Sequence, residues 1–225
     1  MVMLMLFPFV TSALADTVVT GNGTPVVVAD PTAIGANLDF VAGTGDPAVL
    51  DLTAGGTYAG EWSINNVSAV FNLNGGSLLL LPTVGAGTAT GDANLLVTNG
   101  TLQLGTNSFL TGFGSGGTGG TLAATNGGSL VIDDKRWIES MTLLQLGGSW
   151  TSGAAATFTY SGADAVTTAA GFSLLNGGAS AIALSGAGSL TFTGNVQGTG
   201  DLVVISGGGV GTVNLAFSTG SFDGH

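Results

Sequence analysis

Cysteine is absent from this 225-residue chain, Lys and Arg together number 2, and the single histidine is the last residue, His225. Without thiols there is no disulfide framework, no thiolate metal site and no cysteine nucleophile. Two cations cannot neutralise a run of phosphates, so nucleic acid is excluded as a partner of a chain with net charge −11. A histidine-based triad or zinc site would depend on His225, at a chain end where order is usually lowest. Charged residues make up only 7% of the sequence, against a usual ~25%. The sequence therefore assigns no catalytic, cofactor-binding or metal-ligating residue.

What is abundant is glycine, 41 residues, together with enough Leu, Val, Phe and Ile to build a core. Proline is scarce, at 5 residues. A hydrophobic chain with few charges can offset its ordering entropy by burial, so folding rather than disorder is expected, with glycine at the turns.

Residues 1–10 (MVMLMLFPFV) form an uncharged apolar run, followed by Thr11-Ser12-Ala13-Leu14-Ala15 and Asp16. Ala13 and Ala15 make the small-residue pattern read by a signal peptidase, which predicts a leader over residues 1–15 and export of residues 16–225. No Lys or Arg precedes the apolar run, so the alternatives are a start inside a longer precursor and a buried strand. The run is too short for a membrane-spanning helix, which needs about 20 residues. No stable span is expected in the mature chain.

Beyond Asp16, short apolar runs alternate with Gly, Asn, Thr and Asp clusters. Strands are predicted at 25–29, 48–52, 69–73, 77–81, 94–98, 101–104, 129–133, 157–160, 181–185, 189–193, 201–205 and 212–217, often at the 8–12-residue spacing of an all-β chain. Leu190 and Phe192 alternate with Thr191 and Thr193, as Val213, Leu215 and Phe217 alternate with their neighbours, giving one buried face per strand.

Asn74-Gly75-Gly76-Ser77-Leu78 returns as Asn126-Gly127-Gly128-Ser129-Leu130 and loosely as Asn176-Gly177-Gly178-Ala179-Ser180, with Asn99-Gly100-Thr101-Leu102 at the half-step. Gly147-Gly148-Ser149-Trp150 and Gly198-Thr199-Gly200-Asp201-Leu202 lie near the remaining slots. The period is near 25 residues. A unit of that size cannot bury its apolar face alone, but stacked units pair every strand with those above and below. The prediction is an all-β, right-handed parallel β-helix of about eight coils, with Asn74, Asn99, Asn126 and Asn176 stacked at one corner. A β-sandwich or barrel built from the same strands is the alternative.

The units Gly76-Ser77-Leu78, Gly100-Thr101-Leu102, Gly128-Ser129-Leu130 and Gly188-Ser189-Leu190-Thr191-Phe192-Thr193-Gly194 resemble the strand repeats of bacterial autotransporter passengers and related adhesins, over most of residues 70–220. The resemblance implies a right-handed parallel β-helix at the cell surface or secreted, with a surface or glycan ligand and self-association along the coil axis. No C-terminal membrane barrel is visible in the sequence, so a piece of a longer passenger and a small secreted relative are both compatible.

Residues 133–139 (Asp133-Asp134-Lys135-Arg136-Trp137-Ile138-Glu139) carry both cations of the chain. Carboxylates and basic residues on one solenoid face would suit a polysaccharide lyase or hydrolase, provided several acids converge. Asp51, Glu61, Asp92, Asp164 and Asp201 are scattered singly, which favours a structural turn: a loop or helical turn beginning near Asp133 or Asp134, with Trp137, Met141 and Leu144 on one face. Gly198-Thr199-Gly200-Asp201 and Gly43-Thr44-Gly45-Asp46 depart from the calcium-binding nonapeptide and read as turns. Thr88-Ala89-Thr90, Thr157-Phe158-Thr159 and Thr191-Phe192-Thr193 are Thr-x-Thr units suited to an ice-binding face, but they do not recur at the coil period. Trp62, Trp137 and Trp150 are expected to pack inside rather than stack on sugars.

Overall fold

Asparagine and glycine tolerate the left-handed backbone that a sharp corner requires, and this chain turns a corner every few residues. The computed structural model describes residues 15–83, 85–115, 119–147, 155–175, 180–206 and 211–222. The first coil carries β1 (Thr17–Thr20) and β2 (Val26–Val28), closed by a 3-10 turn at Pro31–Ala33. The second carries β3 (Asn37–Val41), β4 (Ala48–Leu52) and β5 (Gly56–Tyr58), and the third β6 (Glu61–Asn65), β7 (Ser68–Asn72) and β8 (Ser77–Leu80). Then come β9 (Ala89–Thr90), β10 (Asn94–Leu104) and β11 (Thr121–Ile132), followed by the helix α1 (Lys135–Ser140). After it follow β12 (Leu143–Gly147), β13 (Thr157–Tyr160), β14 (Ala165–Thr168), β15 (Gly171–Leu174) and β16 (Ser180–Leu184). The last coils hold β17 (Ser189–Phe192), β18 (Val196–Gly198), β19 (Leu202–Ser206), β20 (Val213–Leu215) and β21 (Gly220–Phe222).

Each strand pairs in parallel with strands one coil away, so the hydrogen-bond ladders run along an axis. The fold is a parallel β-solenoid of about 8 turns, and the sandwich alternative is set aside by the parallel pairing. Three columns line it. The first contains β1, β3, β6 and β9 and resumes as β14, β17 and β20; the second runs from β2 to β21; the third runs from β5 to β19. The register step varies: Thr17 pairs with Leu38, Thr157 with Ser129. This explains why the repeat is degenerate in sequence.

The strands expected separately at 94–98 and 101–104 are two halves of β10, bent at Asn99, and β11 bends likewise at Asn126. Asn74, Asn99 and Asn126 share φ near +50° (49°, 51° and 50°) at this one corner, as expected; Asn176, Gly177 and Gly178 lie outside the described residues. The Asn74 amide donates to the Leu52 carbonyl one coil back, 3.1 Å away. So the corner binds coil to coil through side chain and backbone together.

Inward positions form stacked rows. Leu78, Leu102, Leu130, Phe158 and Ile182 follow one another in register in the third column, all fully buried. Each such side chain contributes about 1.5–3 kcal/mol relative to exposure. The Tyr58 and Tyr160 rings close the third column at the next corner, where a Cβ on Gly60 or Gly162 would collide with the respective hydroxyl.

Candidate functional site

The helix α1 occupies the first column. Below it the sheet ends at a single bridge between Thr88 and Thr111, and above it β14 begins a new sheet. Gly114 abuts the carbonyl of Ser140 from below while β14 packs from above, so α1 takes the place of one strand. Asp134 is its N-cap, its carboxylate accepting from the Arg136 N–H at 3.0 Å. Trp137, Ile138 and Met141 point inward and are buried. The helical turn and its inward Trp137 and Met141 are as the spacing predicted; Leu144 lies buried in β12.

Trp137 stacks on Trp62 with ring centroids 5.8 Å apart, and the edges of Phe109 and Phe113 meet it at 5.3 and 4.8 Å. Buried Ser108 serves both indoles: its carbonyl accepts from Trp62 Nε1 at 3.1 Å and its Oγ from Trp137 Nε1 at 3.3 Å. Trp62 and Trp137 are thus interior, as expected; Trp150 lies outside the described residues.

Outside this cluster an open depression of about 330 Å³ is edged by Thr106, Asp133, Asp134, Lys135, Arg136 and Asp164. Burial raises the Asp133 carboxyl above its ordinary range, helped by the Asp134 charge and opposed by the hydrogen bond from Thr106. One Asp133 oxygen, Oδ1, is buried without a hydrogen-bond partner among the described residues. Burial also acts upward on Asp134, but the hydrogen bonds and charge of Arg136, with the Lys135 charge, outweigh it and hold Asp134 below the ordinary value. Arg136 grips Asp134 through Nε and Nη2, and Lys135 reaches Asp164 at 3.8 Å. Arg136 also lies over the Phe109 ring, 5.0 Å from its centroid.

The other acids do not join them. Asp51 accepts from Asn72, Asp39 from Ser63, and Asp46 from both the N–H and Oγ of Ser68. Asp46 sits in a bend, as read from its sequence, and ties that bend to the next coil. Among the described residues no three His, Asp or Glu side chains stand close enough together to hold a metal ion.

A second concave surface escaped the sequence. The outward side chains of the second column run Val49, Val70, Leu96, Ala123, Gln145 and Ser173 in register. Val70, Ala123 and Ser173 are buried although they face outward, so this face is hollow. It holds a groove of about 360 Å³ along the axis. Its edge is a polar ladder: Asp46 holds Ser68, Asn94 donates to Ser68 Oγ at 3.4 Å, and the Thr121 N–H donates to Asn94 at 3.0 Å. The large–small alternation of Leu96, Ala123, Gln145 and Ser173 was the available signal, but it repeats only once per coil, and the coils differ in length.

The Thr-x-Thr units fall on separate sheets: Thr88 and Thr90 on the first column before α1, Thr191 on that column's continuation after α1, and Thr157 and Thr159 on the third column. No helix among the described residues is long and apolar enough to cross a membrane. No protein family, curated protein or solved structure matches this chain in the comparisons made.

Proposed function

We propose that this chain is an exported, surface-displayed or secreted β-solenoid that works as an adhesin-like or structural module without catalytic activity. The observation that carries this reading is the second-column groove, an apolar floor and hydrogen-bonded polar edge held in register along the axis. An elongated neutral ligand such as a surface glycan fits such a groove better than a compact substrate does. Export rests on the apolar residues 1–10 and the Ala13-x-Ala15 pattern. Residues 1–14 lie outside the described residues.

Expression with the leader followed by N-terminal sequencing tests the address; Asp16 as first residue supports export, and retained Met1 removes it. A glycan array and a cell-attachment assay test the ligand. Ala123→Trp, which fills the groove floor, is expected to abolish binding, and unchanged binding counts against the groove.

One observation favours a second reading. Asp133 and Asp134 line one depression with their acidities driven apart, the pattern of an acid and a base. A polysaccharide-active enzyme would then lose product formation in both Asp133→Asn and Asp134→Asn. A polysaccharide screen without product removes this alternative.

A further inference from the structure

An asparagine followed by glycine can bring its side-chain amide onto the next backbone nitrogen, because glycine puts no Cβ in the way. The sequence holds five such pairs, beginning at Asn22, Asn74, Asn99, Asn126 and Asn176, the last outside the described residues. The fold treats the other four in two ways.

Three are the corner asparagines. Asn74, Asn99 and Asn126 hold the left-handed backbone. The Asn74 amide is committed to the Leu52 carbonyl, and the Gly75 N–H donates to the Asn99 carbonyl at 2.7 Å. Gly100 is pressed against the preceding coil, where a Cβ would stand 2.5 Å from the Gly76 carbonyl oxygen. Asn99 and Asn126 sit inside the continuous strands β10 and β11. At these pairs the amide reaches the following nitrogen only when the coil opens.

Asn22 differs on each count. It is exposed in a bend and lacks the left-handed backbone of the other three. Its Oδ1 accepts from the Thr24 N–H at 2.9 Å, which curls the amide over the intervening Gly23 as an Asx-turn. The same hydrogen bond draws electron density from the amide carbon. The Gly23 N–H has no partner among the described residues, and a Cβ on Gly23 would meet nothing within 4 Å. An uncommitted nitrogen, a polarised amide carbon held near it and open access for water thus coincide at one place.

We infer that Asn22 is a self-modification site, converted by its own backbone to aspartate and isoaspartate while the solenoid stays folded. The Gly23 nitrogen attacks Asn22 Cγ and gives its proton to solvent; the N–Cγ bond forms, the Cγ–Nδ2 bond breaks and ammonia leaves. Water then opens the succinimide ring at one of its two carbonyls. Opening at Cγ gives aspartate, and opening at the backbone carbonyl gives isoaspartate, with the chain rerouted through the side chain. The Gly45 N–H donates to the Gly21 carbonyl at 2.8 Å, so the new carboxylate arises beside the bend that carries Asp46, on the edge of the second-column groove. The chemistry is independent of what the groove binds.

The test holds the freshly purified whole chain at mildly alkaline pH, folded in buffer and unfolded in guanidinium chloride. Isoaspartate is counted by methyl transfer from S-adenosylmethionine with an isoaspartyl methyltransferase, and each site is located by fragmentation mass spectrometry. In guanidinium all the Asn-Gly pairs are expected to convert at similar rates. In the folded chain Asn22 is expected to keep a rate close to its unfolded one, whereas Asn74, Asn99 and Asn126 slow by about tenfold or more, in proportion to how rarely the coils open. Asn22→Gln, which would need a larger ring, is expected to remove the early label from the folded chain, with far-UV circular dichroism unchanged. Asn22 intact in the folded chain while it converts in guanidinium overturns the inference. So does conversion of the corner pairs as fast as Asn22 in the folded chain, or an early label that survives in folded Asn22→Gln.

Discussion

The coils before α1 and the coils after it follow one recipe and end differently. At the N-terminal end the inward residues Val19 and Leu38 are fully buried, whereas the inward Val204 of β19 is 46% exposed, as are its neighbours Val203 and Ile205. Before α1 the outer face is laced by Asp39–Ser63, Asn65–Thr90 and Asp46–Ser68–Asn94 contacts. After it the described contacts of this kind are few, Thr193 to the Thr168 carbonyl and Thr219 to Asn195 among them. The two tyrosine corners repeat the contrast. The Tyr58 hydroxyl lies among the carbonyls of Gly35, Ala36 and Glu61 and donates to the last at 2.9 Å. The Tyr160 hydroxyl is buried without such a partner among the described residues. A stacked array gains most where both neighbours exist, so unequal ends give unequal coils.

The sharpest way to break the comparison is at the joint between the halves. Trp137→Ala removes a fully buried ring from the cluster with Trp62, Phe109 and Phe113, and about 3–5 kcal/mol of stability should go with it in urea unfolding. A loss below about 1 kcal/mol would show that the halves do not depend on α1. Next come two inward positions paired in register, Ile182 and Val204. Ile182→Ala should cost about 2–5 kcal/mol, the usual range for a buried large-to-small change. Val204→Ala, half in solvent, should cost under about 1 kcal/mol. Equal losses would mean that the last coil is covered in solution.

Smaller still is the tyrosine pair. Tyr58→Phe should cost about 0.5–1.5 kcal/mol, the net worth of a hydrogen bond. Tyr160→Phe should be neutral or stabilising, because the described residues offer the removed hydroxyl no hydrogen bond to lose. The reverse order would overturn the contrast between the corners.

The least effect is expected from pH. Asp134 lies below its ordinary value, so its contribution is present above the normal carboxylate range and is lost as pH falls through the lowered value. Asp133 lies above its ordinary value, so it favours the fold at low pH, and this contribution is lost as pH rises through the raised value. At neutral pH Asp134→Asn should therefore lower the melting temperature and Asp133→Asn should raise it. Both differences should shrink in acid.

Much of this architecture was legible because it follows from local chemistry. Asn74, Asn99 and Asn126 mark a corner because a left-handed backbone suits asparagine. Thr157–Tyr160 alternates because one face is buried. The strands β3 and β6 went unassigned although Leu38, Phe40, Trp62 and Ile64 alternate as cleanly; no Asn-Gly-Gly phrase precedes them to draw attention. The joint at α1 was legible only in part. Asp134 and the spacing of Trp137 and Met141 announce a helical turn, but nothing local pairs Trp137 with Trp62 or places Ser108 between their indoles. The groove arises from register between coils of unequal length, and register is a property of the stack rather than of any one strand.

The placement of both cations on α1 has a consequence for proteolysis. Lys135 and Arg136 are the only two residues after which a trypsin-like enzyme can cut. Their side chains are 43% and 53% exposed, yet the following residue, Trp137, is wholly interior. The folded chain should resist digestion, and each opening of the joint should release the same two pieces, severed within α1. Digestion rate then becomes a direct clock for the parting of the two half-solenoids, with no other cleavage to confuse it.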